Sequence, residues 1–189
     1  MKRKKMNVLF LSNMIAEKGV WTIVEAAKIL HGKEQPVEFH FVGKWSDITE
    51  EMFKCALIES HLEDVCFAHG GKYGKEKDEF WAAADVFVFP TFYHNECFPL
   101  VLLEAMQHHL PCISTTEGGI PGIIDDKDTG FLIEKHDFQT LADKLEYFIE
   151  HPEESKRMGE NGYRKFQDKF TLRKFEESMV DILNDCLKG

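Results

Sequence analysis

Val86-Phe87-Val88-Phe89-Pro90, followed after the loop Thr91 to Asn95 by Glu96-Cys97-Phe98-Pro99-Leu100-Val101-Leu102-Leu103-Glu104, is the stretch from which the fold reads. Four consecutive apolar residues closed by a proline describe a strand buried on both faces, as central strands of a parallel sheet are. Pro99 then suits the first position of a helix, Leu100 to His108. Its ring fixes a helical φ, and its missing N–H is one that a first turn leaves unpaired in any case. Strand, loop and helix make half of a βαβ unit, and the same alternation continues on both sides.

Toward the amino terminus the pattern predicts a helix from Lys75 to Ala84, a strand near Val65 to Ala68 and a helix around Thr49 to Glu59. Before these come a strand Glu38 to Val42 closed by Gly43, a helix from about Val20 to Leu30, and a first strand Val8 to Leu11. Val20, Ile23, Val24 and Ala27 share one face of that first helix. Toward the carboxyl terminus lie strands at Pro111 to Ser114 and Gly130 to Ile133, then helices at Phe138 to Glu150, Pro152 to Phe166 and Leu172 to Leu187. This alternation predicts an α/β domain spanning residues 1–189, a doubly wound parallel sheet with extra carboxyl-terminal helices. The basic lead-in of residues 1–6 is expected to be a linker. Ligands of such a sheet sit outside the carboxyl ends of its strands, here the loops after Leu11, Val42, Ala68, Phe89 and Ser114.

Composition narrows the function classes. A chain of 189 residues with 43% apolar and 30% charged residues is an ordinary globular domain, and no apolar run reaches the roughly 18 residues of a membrane span. A net charge of -10 argues against nucleic acid as a partner, although it leaves room for a small phosphorylated ligand. Cys55, Cys66, Cys97, Cys112 and Cys186 are dispersed and odd in number, which predicts free thiols in a reducing, cytoplasmic setting and no zinc site.

Several motifs fail. The first turn, Ser12-Asn13-Met14-Ile15-Ala16-Glu17-Lys18-Gly19, lacks the dinucleotide-binding glycines, and Gly74-Lys75 is followed by Glu76 where a phosphate-binding loop needs a hydroxyl. Asp126-Lys127-Asp128 has the spacing of a diphosphate-metal site, but beside Asp125 and Thr129-Gly130 it reads as a polar turn. The helix start at Pro99 is different. Cys97 and Phe98 offer no capping side chain, so the N–H groups of Leu100, Val101 and Leu102 are available to an anion. Glu104 interrupts an otherwise apolar helix, either as an ion-paired residue or as an acceptor for vicinal hydroxyls such as those of a ribose.

These nine residues resemble the E-x7-E signature of retaining GT-B glycosyltransferases, particularly family 4 (group 1). Glu17-Lys18-Gly19-Val20, Ala82-Ala83-Ala84-Asp85-Val86-Phe87-Val88-Phe89-Pro90, Gly118-Gly119-Ile120-Pro121 and Asp128-Thr129-Gly130-Phe131-Leu132 are similar to further segments of that family, in the same order. The resemblance implies a Rossmann-like domain, the donor-binding, carboxyl-terminal half of a GT-B enzyme of polysaccharide biosynthesis. The donor would be a nucleotide diphosphate sugar, a UDP-sugar first, giving up a hexose-type sugar to a glycan, lipid-linked or small-molecule acceptor. Glu96 would contact the donor sugar, Glu104 the ribose hydroxyls and Lys18 the diphosphate, with Cys97, Phe98, Pro99 and Leu100 lining the phosphate and sugar. No metal or other cofactor is implied. Asn13 stands where the family usually has an arginine that assists the lysine, so Lys44 or Lys72 is the available substitute; Cys97 and Gly122 also depart from the usual pattern.

The family's amino-terminal domain is the implied partner. The last helix, with Phe175, Met179, Ile182 and Leu183 on one face, crosses back to it or packs on its own sheet. Rival readings are a non-catalytic nucleotide-sugar-binding module of the same fold, a GT-B-like epimerase expected to carry different catalytic carboxylates, and a flavodoxin-like signalling domain. The last would want acidic residues where Ser12-Asn13 stand.

Overall fold

The computed structural model describes residues 4–187. Six parallel strands form one sheet: β1 (Met6–Leu11), β2 (Val37–Val42), β3 (Cys66–Ala68), β4 (Val86–Phe89), β5 (Cys112–Thr115) and β6 (Gly130–Ile133). Their order across the sheet is β3-β2-β1-β4-β5-β6. Among the described residues eight α-helices accompany them: α1 (Val20–Gly32), α2 (Glu50–Glu59), α3 (Lys75–Ala83), α4 (Leu100–Gln107), α5 (Ile120–Ile123), α6 (Phe138–Glu150), α7 (Pro152–Lys169) and α8 (Leu172–Leu187).

The winding follows from handedness. Right-handed crossovers running β1 to β3 in one direction, and β4 to β6 in the other, place their helices on opposite faces. Accordingly α1 packs against α6, while α4 packs against α7. One face of the sheet carries a run of phenylalanines. Phe10 lies 5.8 Å from Phe41, and Phe53 of α2 meets Phe41 edge-on. All four residues of β4 are buried, as its uninterrupted apolar sequence requires.

Some details differ from the sequence expectations. Strand β1 begins at Met6, within the expected linker, because the Met6 N–H donates to the Pro36 carbonyl at 2.8 Å and the strand registers Met6 with Val37. Lys4 and Lys5 are tied to Asp85 and Glu38, and Met1 to Arg3 lie outside the described residues. Pro99 is the residue before α4, with ψ at 105°, rather than its first helical position. Helix α5, built from Ile-Pro-Gly-Ile, lies in a segment for which the sequence pattern predicts no element. No residue of α8 is buried, so packing on its own sheet is not realised among the described residues. Asp126-Lys127-Asp128 is a turn: the Lys127 N–H donates to Gly130, Asp126 accepts from the Leu132 N–H, and Asp128 meets Arg157 and Asn161.

On the other face, His40 of β2 and His69 just after β3 line a groove of about 330 Å³ together with Glu38, Glu79 and Phe80. Their rings share a hydrogen bond, His40 Nδ1 to His69 Nε2 at 3.0 Å, in which one ring donates and the other accepts. Burial holds both imidazoles below the ordinary histidine value, in His40 against the pull of Glu38, in His69 with further lowering by His40 and Lys72. Folding therefore favours the neutral pair. Its contribution is whole above about pH 6.5, the unfolded value, and fades as pH falls through the lower folded values. The melting temperature is expected to drop more between about pH 7.5 and about 5.5 in the natural chain than in a His40→Gln, His69→Gln double variant. Parallel pH profiles would refute this.

The five cysteines are free thiols; burial pushes Cys66 and Cys112 up to about 12, which makes those two poor nucleophiles at neutral pH.

Candidate functional site

Strand order reverses between β1 and β4, so the crevice outside their carboxyl ends is the place where a ligand fits such a sheet. Two loops meet there. The first leaves β1 through Ser12 and Asn13 and closes in a 3-10 turn, Ala16–Lys18, ended by Gly19 at φ 88°. The second leaves β4 at Pro90 and runs to Pro99. They are in backbone contact: the Phe92 N–H donates to the Glu17 carbonyl at 2.8 Å. A Cβ on Gly19 would fall 2.8 Å from the Pro90 ring and onto the Pro90 carbonyl, so glycine at that position serves both the positive φ and the close approach.

This contact brings Lys18 and Glu96 together, although 78 residues separate them. Their side chains form an ion pair, and each keeps little more than a tenth of its surface in solvent, 13% and 11%. The ammonium also lies 4.4 Å from the centre of the Tyr93 ring and 5.5 Å from that of Phe89. A cation held between a carboxylate and two aromatic faces is directionally fixed. Tyr93 escaped the sequence reading, since nothing local marks an aromatic residue as the neighbour of a lysine in another loop.

The loop carrying Glu96 is held from two sides. Behind it, the buried Ser114 and Thr115 hydroxyls at the end of β5 donate to the Phe89 and Thr91 carbonyls, each at 2.5 Å. Beside it, Gly118 and Gly119 press directly on its backbone. The Gly119 N–H donates to the Cys97 carbonyl at 2.7 Å, and a Cβ on Gly118 would coincide with the Glu96 carbonyl. The G-G-x-P segment is thus a buttress for Glu96.

Helix α4 starts beyond this loop with no capping side chain. The Leu102 N–H, expected to be available, donates to the Pro99 carbonyl at 3.1 Å, as a tightened first turn allows. Among the described residues the Leu100 and Val101 N–H groups find no acceptor. They point their partial positive charge at the crevice mouth. Pro99 is buried, Cys97 and Leu100 are exposed, and Phe98 stands edge-on to Phe170 at 6.0 Å.

Glu104 lies one and a half turns into α4 and is half-buried. It is ion-paired with Lys77 of α3 at 3.0 Å, the alternative that the sequence left open beside hydroxyl binding. With 27% and 36% of the two side chains exposed, this pair contributes about 1 kcal/mol or less to stability. Asn13 is exposed on the β1 loop. That loop is sewn to the one after β2: the Met14 N–H donates to the Lys44 carbonyl at 2.8 Å, and a Cβ on Gly43 would fall on the Ser12 carbonyl. Lys44 is therefore carried close to Asn13, with its ammonium 5.6 Å from the Tyr73 ring centre, whereas Lys72 is engaged by Glu76 at 2.9 Å.

The arrangement offers one fixed cation, one carboxylate beside it, a helix start with free N–H groups and a second carboxylate further along. It suits a ligand with an anionic centre flanked by hydroxyl groups.

A family model described as glycosyl transferases group 1 matches residues 2–165. N-acetyl-alpha-D-glucosaminyl L-malate synthase of Bacillus anthracis is 31% identical over 194 residues, covering 96% of this chain and 47% of that protein. The capsular polysaccharide biosynthesis glycosyltransferase CapM of Staphylococcus aureus is 26% identical over 179 residues, 95% of this chain and 46% of that one. The chain spans about half the length of these curated relatives. Among solved structures, the carboxyl-terminal domain of LpcC, a group 1 family protein from Francisella tularensis, matches with a TM-score of 0.78 at 25% identity over 89% of this chain and 88% of that one. Anabaena HepE in complex with UDP and glucose matches with a TM-score of 0.85 at 19% identity, over 96% of this chain and 48% of that one, a likeness of fold. No helix among the described residues is long and apolar enough to cross a membrane.

Proposed function

The chain belongs to the group 1 glycosyl transferases, and from that premise we propose that it is the donor-binding half of a retaining enzyme that moves a hexose-type sugar from a UDP-sugar to an acceptor. The observation that carries this reading is the meeting of Lys18 and Glu96 at the switch point of the sheet. The complexes of HepE with UDP and glucose and with UDP-glucose support the choice of nucleotide.

Breaking the bond between an anomeric carbon and a diphosphate leaves charge on the departing phosphate and an electron-poor sugar. Lys18 and the Leu100 and Val101 N–H groups answer the first charge, and the α4 dipole adds to them. Glu96 answers the second as a positioning and electrostatic residue, with the phosphate itself accepting the proton of the incoming hydroxyl. The Lys18–Glu96 pair also keeps Glu96 from repelling the diphosphate. Glu104 takes the ribose hydroxyls, and Lys44 stands in beside Asn13 for the family's arginine. No metal ion is required on this reading. An amino-terminal domain supplies the acceptor and covers the apolar face of α8, and the enzyme works in the cytoplasm. The isolated chain binds the donor weakly and transfers nothing. The neutral Asn13 favours one rival, a non-catalytic module with the same pocket, which a transfer assay on the complete enzyme separates from the first reading.

Calorimetry and thermal shift with UDP-, GDP- and ADP-sugars test the pocket. UDP-sugars are expected to stabilise the chain most, by about 1–3 kcal/mol at ligand concentrations of roughly 10 to 100 times Kd. No stabilisation by any of the three at millimolar ligand would overturn the reading.

A further inference from the structure

Tyr93 belongs to no motif of this sequence, yet it is tied to both members of the Lys18–Glu96 pair. Its ring centre lies 4.4 Å from the Lys18 ammonium, and its carbonyl accepts the Glu96 N–H at 2.9 Å. Its own N–H donates to the hydroxyl of the buried Thr91 at 3.2 Å. That hydroxyl donates in turn, at 3.3 Å, to the carbonyl of Glu17, the residue before Lys18. Backbone hydrogen bonds thus place the ring against Lys18. The polar end of the ring has no part in this: among the described residues the Tyr93 hydroxyl makes no hydrogen bond.

A carboxylate and an aromatic face hold a cation differently. The carboxylate acts by net charge, and so cancels part of the charge that a diphosphate would meet. The ring face carries a quadrupole and no net charge, so it fixes the ammonium and leaves its charge whole. The distinction matters at Lys18, whose flexible tail costs side-chain entropy to order. When a donor binds, on the proposed reading, Glu96 is drawn to the sugar and the diphosphate takes up the ammonium. The ring is then the contact that persists from the empty site to the occupied one, together with the buried Phe89 at 5.5 Å.

We propose that Tyr93 is a positioning residue for the donor diphosphate, its ring face holding the Lys18 ammonium ready for the phosphate charge without cancelling it. The inference rests on the reading of Lys18 as the cation for the diphosphate. It predicts that the electrostatic character of the ring matters at constant shape, which a role in packing the loop would not produce.

The test is calorimetric titration of the full chain with UDP. Tyr93→Leu is expected to weaken binding about three- to tenfold, the cost of ordering a lysine tail that the ring no longer holds, and Tyr93→Phe to bind as the natural chain does. A ring-fluorinated phenylalanine at position 93 keeps the shape but loses the negative face, and is expected to bind nearly as weakly as Tyr93→Leu. In a Lys18→Met background the leucine substitution is expected to add no further loss. A natural chain that does not bind UDP would overturn the proposed function, and the inference with it. Lys18→Met binding as tightly as the natural chain would overturn the role of Lys18. With both intact, the inference falls if Tyr93→Leu or the fluorinated ring binds as the natural chain does, if Tyr93→Phe weakens binding as Tyr93→Leu does, or if the loss in Tyr93→Leu persists without Lys18.

Discussion

Glu96→Ala is expected to lower transfer by the complete enzyme about 10²- to 10³-fold, the effect of removing one preorganised electrostatic group from a transition state, while leaving UDP affinity unchanged or slightly tightened. The opposite signs follow from the ion pair. Lys18 spends its charge on Glu96 in the empty site, so deleting the carboxylate frees the ammonium for the diphosphate. Lys18→Met should differ: both affinity and transfer fall, because the group that faces the leaving charge is gone. Breaking the pair also leaves one charge largely out of solvent, 11% or 13% exposed, at a cost of about 3 kcal/mol, the low end for a buried pair. Steady-state transfer assays beside calorimetry decide it. Unchanged transfer in Glu96→Ala would end the assignment of Glu96, and UDP affinity falling in step with transfer would end the explanation by pairing.

The second large effect is expected at Gly118. Its φ of 50° disfavours any other residue by about 1–3 kcal/mol, and its missing Cβ leaves room for the Glu96 carbonyl. Gly118→Ala therefore has to move the loop that carries Glu96. A loss of about 3 kcal/mol or more is expected, lowering the melting temperature by roughly 6–12 °C for a domain of this size. Gly122→Ala is the matched control: it sits in α5 with nothing within 4 Å of the added carbon, and is expected to be neutral or stabilising by up to about 1 kcal/mol. Equal melting temperatures for the two variants would remove the buttress.

The elements that bury both faces of a sheet were legible in the sequence, because burial leaves a continuous apolar run such as Val86 to Phe89 that no other environment favours. Lys18, Glu96 and Glu104 were legible through resemblance alone; periodicity marked only Glu104 as out of place. What could not be read were partners set by register. Lys77 meets Glu104 across 27 residues and His40 meets His69 across 29, and each encounter depends on how two βα units are laid side by side. The Pro99 boundary and α5 were missed for a local reason: a single turn carries too few residues for a period to show.

Four glycine contacts, Gly19 on Pro90, Gly43 on Ser12, Gly118 on Glu96 and Gly119 on Cys97, join neighbouring loops backbone to backbone at the carboxyl edge of the sheet. On the proposed function, this divides the site into two kinds of position for an engineer wishing to alter which sugar nucleotide is accepted. Side chains such as Asn13, Cys97 and Leu100 project from the joined loops and are open to saturation mutagenesis. The glycines set the spacing of the loops themselves, so a library that randomises them would sample broken frames instead of new specificities.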